Sequence, residues 1–362
     1  MVKRPPVEVS MMNEHEVPSD AAPLRLIQIG LGGWGRDWMN IVHKERAVRP
    51  VAWVDADITA LSLAQQQGAP KEGCFTSLAE ALEAQPADAV LITAGVAGHA
   101  PIALSALQMN LPVLVEKPFT ENLSQASEVI AAARERQLAL MVSQNYRFHP
   151  APQLAAQIVR EGTLGDIGFV EVDFRRDSAR ARPAPTAHHA LPHPLLLDMA
   201  IHHFDLMRFV LGREPLRIDC QTFNPKWSPF RDPASGVATI EFEGGVVVSY
   251  RGSWASSGPV TPWAGEWRMD AEGGELRWTS RDTPTPDHVT LRPLDGRPRP
   301  LPLPDTGKLD RAGALAAFVQ AVRDGTEPPS SGRENLGSLA LALAAIRSSQ
   351  ERRIVELSEG AG

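Results

Sequence analysis

Apolar residues change their spacing repeatedly along the first half of the chain. Short runs of mostly apolar residues stand at Leu24–Ile29, 51–54, 89–93, Val113–Val115 and 139–142. Between them lie longer stretches in which apolar residues recur every three or four positions. One extends to about Lys44, and others cover 57–67, 77–85, 99–109 and 123–137. The short runs read as strands and the longer stretches as helices. Strands that alternate with helices across short turns predict a parallel sheet covered on both faces.

The second half has another texture. Alternating segments at 169–174, 216–223, 237–242, 246–251, 266–270, 275–278 and 288–292 follow one another as strand candidates. Glu243-Gly244-Gly245 and Glu272-Gly273-Gly274 have the composition of hairpin turns. Strands in succession predict a largely antiparallel sheet. The apolar segment 195–211 interrupts them with helical spacing, prolines recur from Pro284 to Pro304, and helices at about 309–324 and 334–350 end the chain. The expected class is α/β: a doubly wound parallel sheet, then an α/β domain with a large, mostly antiparallel open sheet.

Composition narrows this picture a little. A chain of 362 residues is long enough for two cores. A net charge of −7 argues against broad attraction to nucleic acid or an anionic membrane surface. No apolar run is long enough to span a bilayer. Residues 1–23 mix charges without an apolar block and read as a disordered leader, with Met11 or Met12 as alternative starts. We expect domains at 24–148 and 149–362, with the helices at 309–350 packing back on the first. Two cysteines, Cys74 and Cys220, form no disulfide framework, and a reduced, cytoplasmic setting is the simplest fit.

Candidate chemistry begins at Gly30-Leu31-Gly32-Gly33-Trp34-Gly35, which follows a strand and opens a helix. The glycines Gly30, Gly32 and Gly35 allow a tight turn, close approach of backbone to a pyrophosphate, and tight helix–strand packing. The helix N-terminus offers free N–H groups to the phosphates. Asp55 ends the second strand, where a carboxylate accepts hydrogen bonds from ribose hydroxyls and repels a 2′-phosphate. No Arg or Lys follows closely, so NAD is favoured over NADP.

Lys117, in Glu116-Lys117-Pro118, closes an apolar strand at the end where ligands bind in such sheets. It is suited to stabilising alkoxide charge, although a loop lysine before a proline stop reads equally well. Asp198 and His202 stand four apart on one helix face, with Asp205 three beyond His202. A histidine there can take a hydroxyl proton near neutral pH. A helix-supporting carboxylate and a satisfied core histidine are the plain alternatives. Five of the ten histidines, His188, His189, His193, His202 and His203, fall within sixteen residues, but their proline-broken spacing matches no zinc pattern. We expect no metal.

Taken together, these motifs resemble the Gfo/Idh/MocA family, named for glucose–fructose oxidoreductase, inositol dehydrogenase and a rhizopine catabolism protein. The resemblance runs from about Leu24 onwards. It includes Asn145-Tyr146-Arg147-Phe148 before Pro150, the turn Glu161-Gly162-Thr163-Leu164-Gly165, and the ending Phe318, Gly325, Pro328 and 339–349. It implies a Rossmann domain followed by an α/β domain with an open sheet. Lys117 then binds the reacting hydroxyl, His202 acts as general acid/base, and Asp198 orients substrate or His202. Cofactor contacts fall on Gly30, Gly32, Gly33, Trp34, Gly35, Asp55, Thr93, His99, Glu116 and Asn145, and substrate contacts on Arg175, His203 and Asp205. The implied reaction moves a hydride between NAD and a secondary hydroxyl of a sugar, polyol or sugar acid. The alternatives are an NAD-dependent glycosidase on the same scaffold and a non-catalytic NAD-binding regulator. A homodimer or homotetramer through the open sheet is also implied, and Trp254, Trp263, Trp267 and Trp278 suit such a face, a substrate pocket or the interior. The stretch 175–194, with Arg176, Arg180 and Arg182, reads as a solvated loop that could receive an acidic substrate.

Overall fold

The computed structural model describes residues 22–178, 186–282 and 286–360. Most of the expected leader, Arg180, Arg182 and Pro284 lie outside the described residues. The first half builds β1 (Leu24–Ile29), α1 (Gly33–Lys44), β2 (Val48–Val54), α2 (Ile58–Gln66), β3 (Cys74–Phe75), α3 (Leu78–Ala84), β4 (Ala89–Ile92), α4 (Val96–Gln108), β5 (Val113–Val115), α5 (Leu123–Arg136) and β6 (Leu140–Val142). Its sheet has the order β3-β2-β1-β4-β5-β6 and every pairing is parallel. The order reverses between β1 and β4, which opens a crevice at the carboxyl ends of those strands. Helices cover both faces, so β4, β5 and β6 are buried along their whole length.

A short turn at Asn145–Phe148 leads to α6 (Pro150–Arg160). This helix was not among the expected elements. Its signals are a proline in the first turn and apolar residues at Ala151, Leu154, Ala155 and Ile158. Next comes β7 (Ile167–Arg175), and then a π-helical turn, Pro194–Ala200, that continues directly into α7 (Ile201–Leu211). The strands β8 (Pro215–Phe223), β9 (Ser235–Phe242), β10 (Val247–Ser253), β11 (Glu266–Ala271), β12 (Gly274–Thr279), β13 (His288–Pro293) and β14 (Arg299–Pro300) follow, then α8 (Asp310–Asp324), α9 (Gly332–Glu351) and β15 (Val355–Glu356). They form a nine-stranded sheet, β14-β13-β12-β11-β7-β10-β9-β8-β15. Only the β7–β10 pairing is parallel.

Alternation along the strands separates the two faces of this sheet. Val170, Val172 and Phe174 point into the core with Trp267 and Trp278, whereas Glu171, Asp173 and Arg175 point the other way. Trp254 is buried as well, and Trp263 packs against the same core. The open face is instead laced with ion pairs, including Arg251–Asp173 at 3.0 Å, Arg268–Glu275 at 2.7 Å and Arg217–Glu241 at 2.6 Å.

The last two helices tie the halves together. Ala314, Leu315, Phe318 and Val319 of α8 join Leu24, Leu26 and Trp38 in one cluster against the first sheet. In α9, Leu339 enters the first core while Leu341, Ala342 and Ala345 enter the second.

Candidate active site

The Gly-rich turn is tight where it meets β4 and open where α1 begins. Gly30 has φ +94°, and a Cβ there would lie 2.2 Å from the Ala94 nitrogen. A Cβ on Gly35 would lie 2.0 Å from the Gly30 carbonyl oxygen. Around Gly32 and Gly33, by contrast, a Cβ would meet nothing within 4 Å, and no side chain caps α1. Uncapped N–H groups facing open space are what an anion needs. Asp55 accepts from the Leu31 N–H at 2.6 Å and the Asp57 N–H at 2.9 Å, which fixes its carboxylate beside the turn.

Several residues expected at the cofactor hold this turn or its neighbours in place. The Thr93 hydroxyl donates to the Gly30 carbonyl at 2.6 Å, and the buried Gln28 amide donates to Gly35 at 2.7 Å and to Thr93 at 3.2 Å. Trp38 and the Lys117 backbone donate to Glu116 at 2.7 and 3.1 Å. The ring nitrogens of His99 meet the carbonyls of Pro118 and Ala94 at 2.8 and 2.9 Å, linking α4 to the loop that carries Lys117. Asn145 donates to Asp310.

Lys117 leaves the end of β5 and crosses to the π-helical turn. Its Nζ donates to the Asp198 carbonyl at 2.7 Å and to Asp198 Oδ1 at 2.9 Å. Asp198 Oδ2 lies 3.1 Å from His188 Nε2. Burial alone would raise the Asp198 pKa. The Lys117 charge and hydrogen bonds from His188 and Lys117 outweigh burial and hold it well below the usual carboxylate range. His202 lies flat on Tyr146, ring centroids 4.2 Å apart, and its Nδ1 is 3.1 Å from Gln144 Oε1. An amide oxygen only accepts, so Nδ1 carries the proton and Nε2 is the basic nitrogen. Burial, then the charges of Lys117 and Arg281, push the His202 pKa well below its ordinary value. The imidazole is therefore neutral near pH 7. Tyr146 is pushed up to about 12 by burial and stays a neutral phenol; it accepts from Arg281 Nη1 at 3.0 Å.

Three residues expected to contact substrate have other partners in the structure. Arg175 shares the open sheet face with Asp173, and pairs with it at 3.2 Å and with Glu266 at 3.1 Å. The period of two along a strand sends the next residue, Arg176, to the site side, where its guanidinium stacks 4.1 Å over Trp263. His203 lies one helical position from His202 and turns into the core, its nitrogens at 3.1 Å from the Tyr250 hydroxyl and 3.0 Å from the Trp263 carbonyl. Asp205 receives both arms of Arg147 at 2.5 and 2.6 Å and the Ser338 hydroxyl at 2.9 Å, so its oxygens are taken. Gln144, Arg281 and the stacking role of Tyr146 went unread, whereas Arg176 was named within the loop 175–194. The motif 145–148 marked Tyr146 as part of a junction, but nothing in local spacing links Arg281, two residues beyond β12, to Tyr146.

The buried histidines imply a pH dependence of stability. Burial pushes His203 down to about 4 from an ordinary 6.5. The unfolded chain then binds a proton below pH 6.5 that the folded chain refuses until about pH 4. Stability is complete above 6.5 and falls as pH drops between these values, by about 2 kcal/mol at pH 5 from this group alone. Urea denaturation across that range checks it; a flat profile contradicts it.

Comparison with known proteins gives consistent results. Residues 24–144 match the oxidoreductase family with an NAD-binding Rossmann fold, and residues 153–275 match the GFO/IDH/MocA C-terminal domain. The chain is 26% identical to inositol 2-dehydrogenase of Rhizobium meliloti over 338 residues, covering 91% of this chain and 98% of that protein. It is 28% identical to D-apiose dehydrogenase of Paraburkholderia graminis over 343 residues, covering 91% and 88%. An oxidoreductase from Agrobacterium radiobacter, solved in complex with NAD+, L-tartaric acid and magnesium, superposes with a TM-score of 0.81 at 19% identity, covering 93% of this chain and 99% of that one. The last likeness shows the fold. Among the described residues no helix is long and apolar enough to cross a membrane.

Proposed function

The chain belongs to the GFO/IDH/MocA family of oxidoreductases, and on that premise we propose that it transfers a hydride between NAD and a secondary hydroxyl of a sugar, polyol or sugar acid. The observation that carries the proposal is the pairing of Lys117 with Asp198 at the carboxyl end of the parallel sheet, within electrostatic reach of the His202 imidazole. Residues 24–148 would hold the dinucleotide and residues 149–362 the substrate side.

The residues present fit a dinucleotide. Gly32 and Gly33 leave a cradle that a side chain would fill, and Gln144 Nε2 is a buried donor without a partner among the described residues. Gly32, Gly33 and Trp34 would hold the pyrophosphate through backbone N–H groups, and Asp55 the adenosine ribose. When bound, the nicotinamide supplies the hydride acceptor or donor.

The chain's own residues do the rest. His202 Nε2 receives the hydroxyl proton in the direction of oxidation and returns it in reduction. Gln144 keeps that nitrogen unprotonated by accepting from Nδ1. Lys117 donates a hydrogen bond to the reacting oxygen and stabilises the negative charge that grows as the O–H bond breaks. Asp198 holds Nζ in place through two contacts. Tyr146, stacked on the imidazole, keeps its ring from rotating and excludes water from that side.

The test is near-ultraviolet absorbance of the purified chain with NAD or NADP and a panel of sugars, inositols and sugar acids. Reduction of NAD by one substrate class supports the proposal. Binding of NAD without reduction by any of them, together with release of sugar from a glycoside, replaces it with a glycosidase.

A further inference from the structure

Among the described residues Arg311 is a cation without an anion. It occupies the first turn of α8, where the helix dipole disfavours positive charge. Its guanidinium stacks 4.3 Å from the Trp34 ring and lies 5.7 Å from that of Trp38. Its Nη1 is buried with no hydrogen-bond partner among the described residues. The carboxylates nearby are committed elsewhere. Asp310 is engaged by Asn145 and by Arg281 at 3.0 Å, and Glu116 by Trp38 at 2.7 Å.

Trp34, the residue on which Arg311 rests, stands in the first turn of α1 directly after Gly33 and is 47% exposed. The first turns of two helices, with a guanidinium that has no anion among the described residues, therefore meet at Trp34, next to the open glycines Gly32 and Gly33. A concentration of positive charge in a cleft wall, with donors unsatisfied, is the electrostatic shape of a site for a multiply charged anion.

We propose that Arg311 binds the pyrophosphate of the dinucleotide from the C-terminal side, so that α8 completes a cofactor site otherwise built by the first sheet. The inference rests on the dinucleotide reading above. Guanidinium and phosphate match in planar, two-pronged hydrogen bonding, and no existing ion pair has to break. Trp34 supplies a flat support that keeps the guanidinium oriented before the ligand arrives.

Titration calorimetry on the full chain tests this with NAD and with ADP-ribose, which keeps both phosphates and lacks the nicotinamide. Arg311→Gln and Arg311→Met, the second retaining a stem to pack on Trp34, are each expected to weaken both ligands by about 10- to 100-fold. Arg311→Lys should recover part of the loss. Added salt should weaken binding less steeply in the neutral variants than in the wild type, a change that a purely structural role would not produce. Melting of the ligand-free variants shows whether each is folded. If wild type binds NAD and a folded neutral variant binds it equally well, the Arg311 inference is overturned and the dinucleotide reading stands. If wild type binds neither NAD, NADP nor ADP-ribose, both are overturned.

Discussion

Lys117→Met is expected to lower kcat by about 100- to 1000-fold, the usual effect of removing one donor aimed at a developing oxyanion. Methionine keeps most of the stem and removes the charge. The loss should fall on kcat, because Lys117 meets the oxygen most strongly once charge has grown there. NAD affinity should stay unchanged, since Nζ faces Asp198 and the proposed cofactor contacts lie on the Gly-rich turn. A second effect follows from the same pairing. Asp198 stays ionised despite burial because Lys117 and His188 outweigh desolvation. Removing the cation raises the Asp198 pKa, so some residual activity should depend on pH where that of the wild type does not. Steady-state kinetics with calorimetry of NAD binding separates these effects; wild-type turnover in the variant would contradict the assigned role.

Asp205→Ala is expected to destabilise the fold by about 3–5 kcal/mol, because it strands a buried cation. Arg147 is 5% exposed and Asp205 1%, and their bidentate contact spans 2.5 and 2.6 Å. Glu334, at 2.9 Å from Arg147, is a partial substitute on a more exposed side. The pair joins the turn after β6 to α7, and Ser338 adds α9 to the same carboxylate at 2.9 Å. Loss should therefore be global and cooperative, read as a lower free energy of urea unfolding. Activity per folded molecule should survive at low temperature. A substrate contact would give the opposite result, with stability kept and kcat/KM lowered.

The fold was largely legible because its signals are local. Apolar runs between turns mark β1, β2, β4, β5 and β6, and helix boundaries shift by only a few residues between expectation and structure, as at 99–109 against Val96–Gln108. The elements that went unread are of two kinds. The two-residue strands β3, β14 and β15 owe their pairing to neighbours and carry no pattern of their own. The helix α6 is alanine-rich, and small residues blur the apolar period.

The site was legible as a set of residue types and less so as a set of directions. Lys117, Asp198 and His202 converge, the first from a strand end, the second from the π-helical turn and the third from the first turn of α7. Arg175 and His203 fail by a single position, since one step along a strand reverses the face and one step along a helix turns it by about 100°. The interruption of the helix by a π turn at Pro194–Ala200 changes the facing of Asp198 further, and residue spacing does not announce it. Arg281 and Gln144 act through contacts far apart in sequence, at |i−j| of 135 and 58 from their partners.

The proposed mechanism turns on hydride transfer to NAD from a carbinol carbon held between Lys117 and His202. Its most direct test uses a polyol or sugar deuterated at the oxidised carbon, with NMR of the recovered nicotinamide. Deuterium is expected at the nicotinamide C4, with turnover slower than on the protiated substrate, and Lys117→Met should deliver that deuterium about 100- to 1000-fold more slowly. Product formed with no deuterium on the nicotinamide would contradict it.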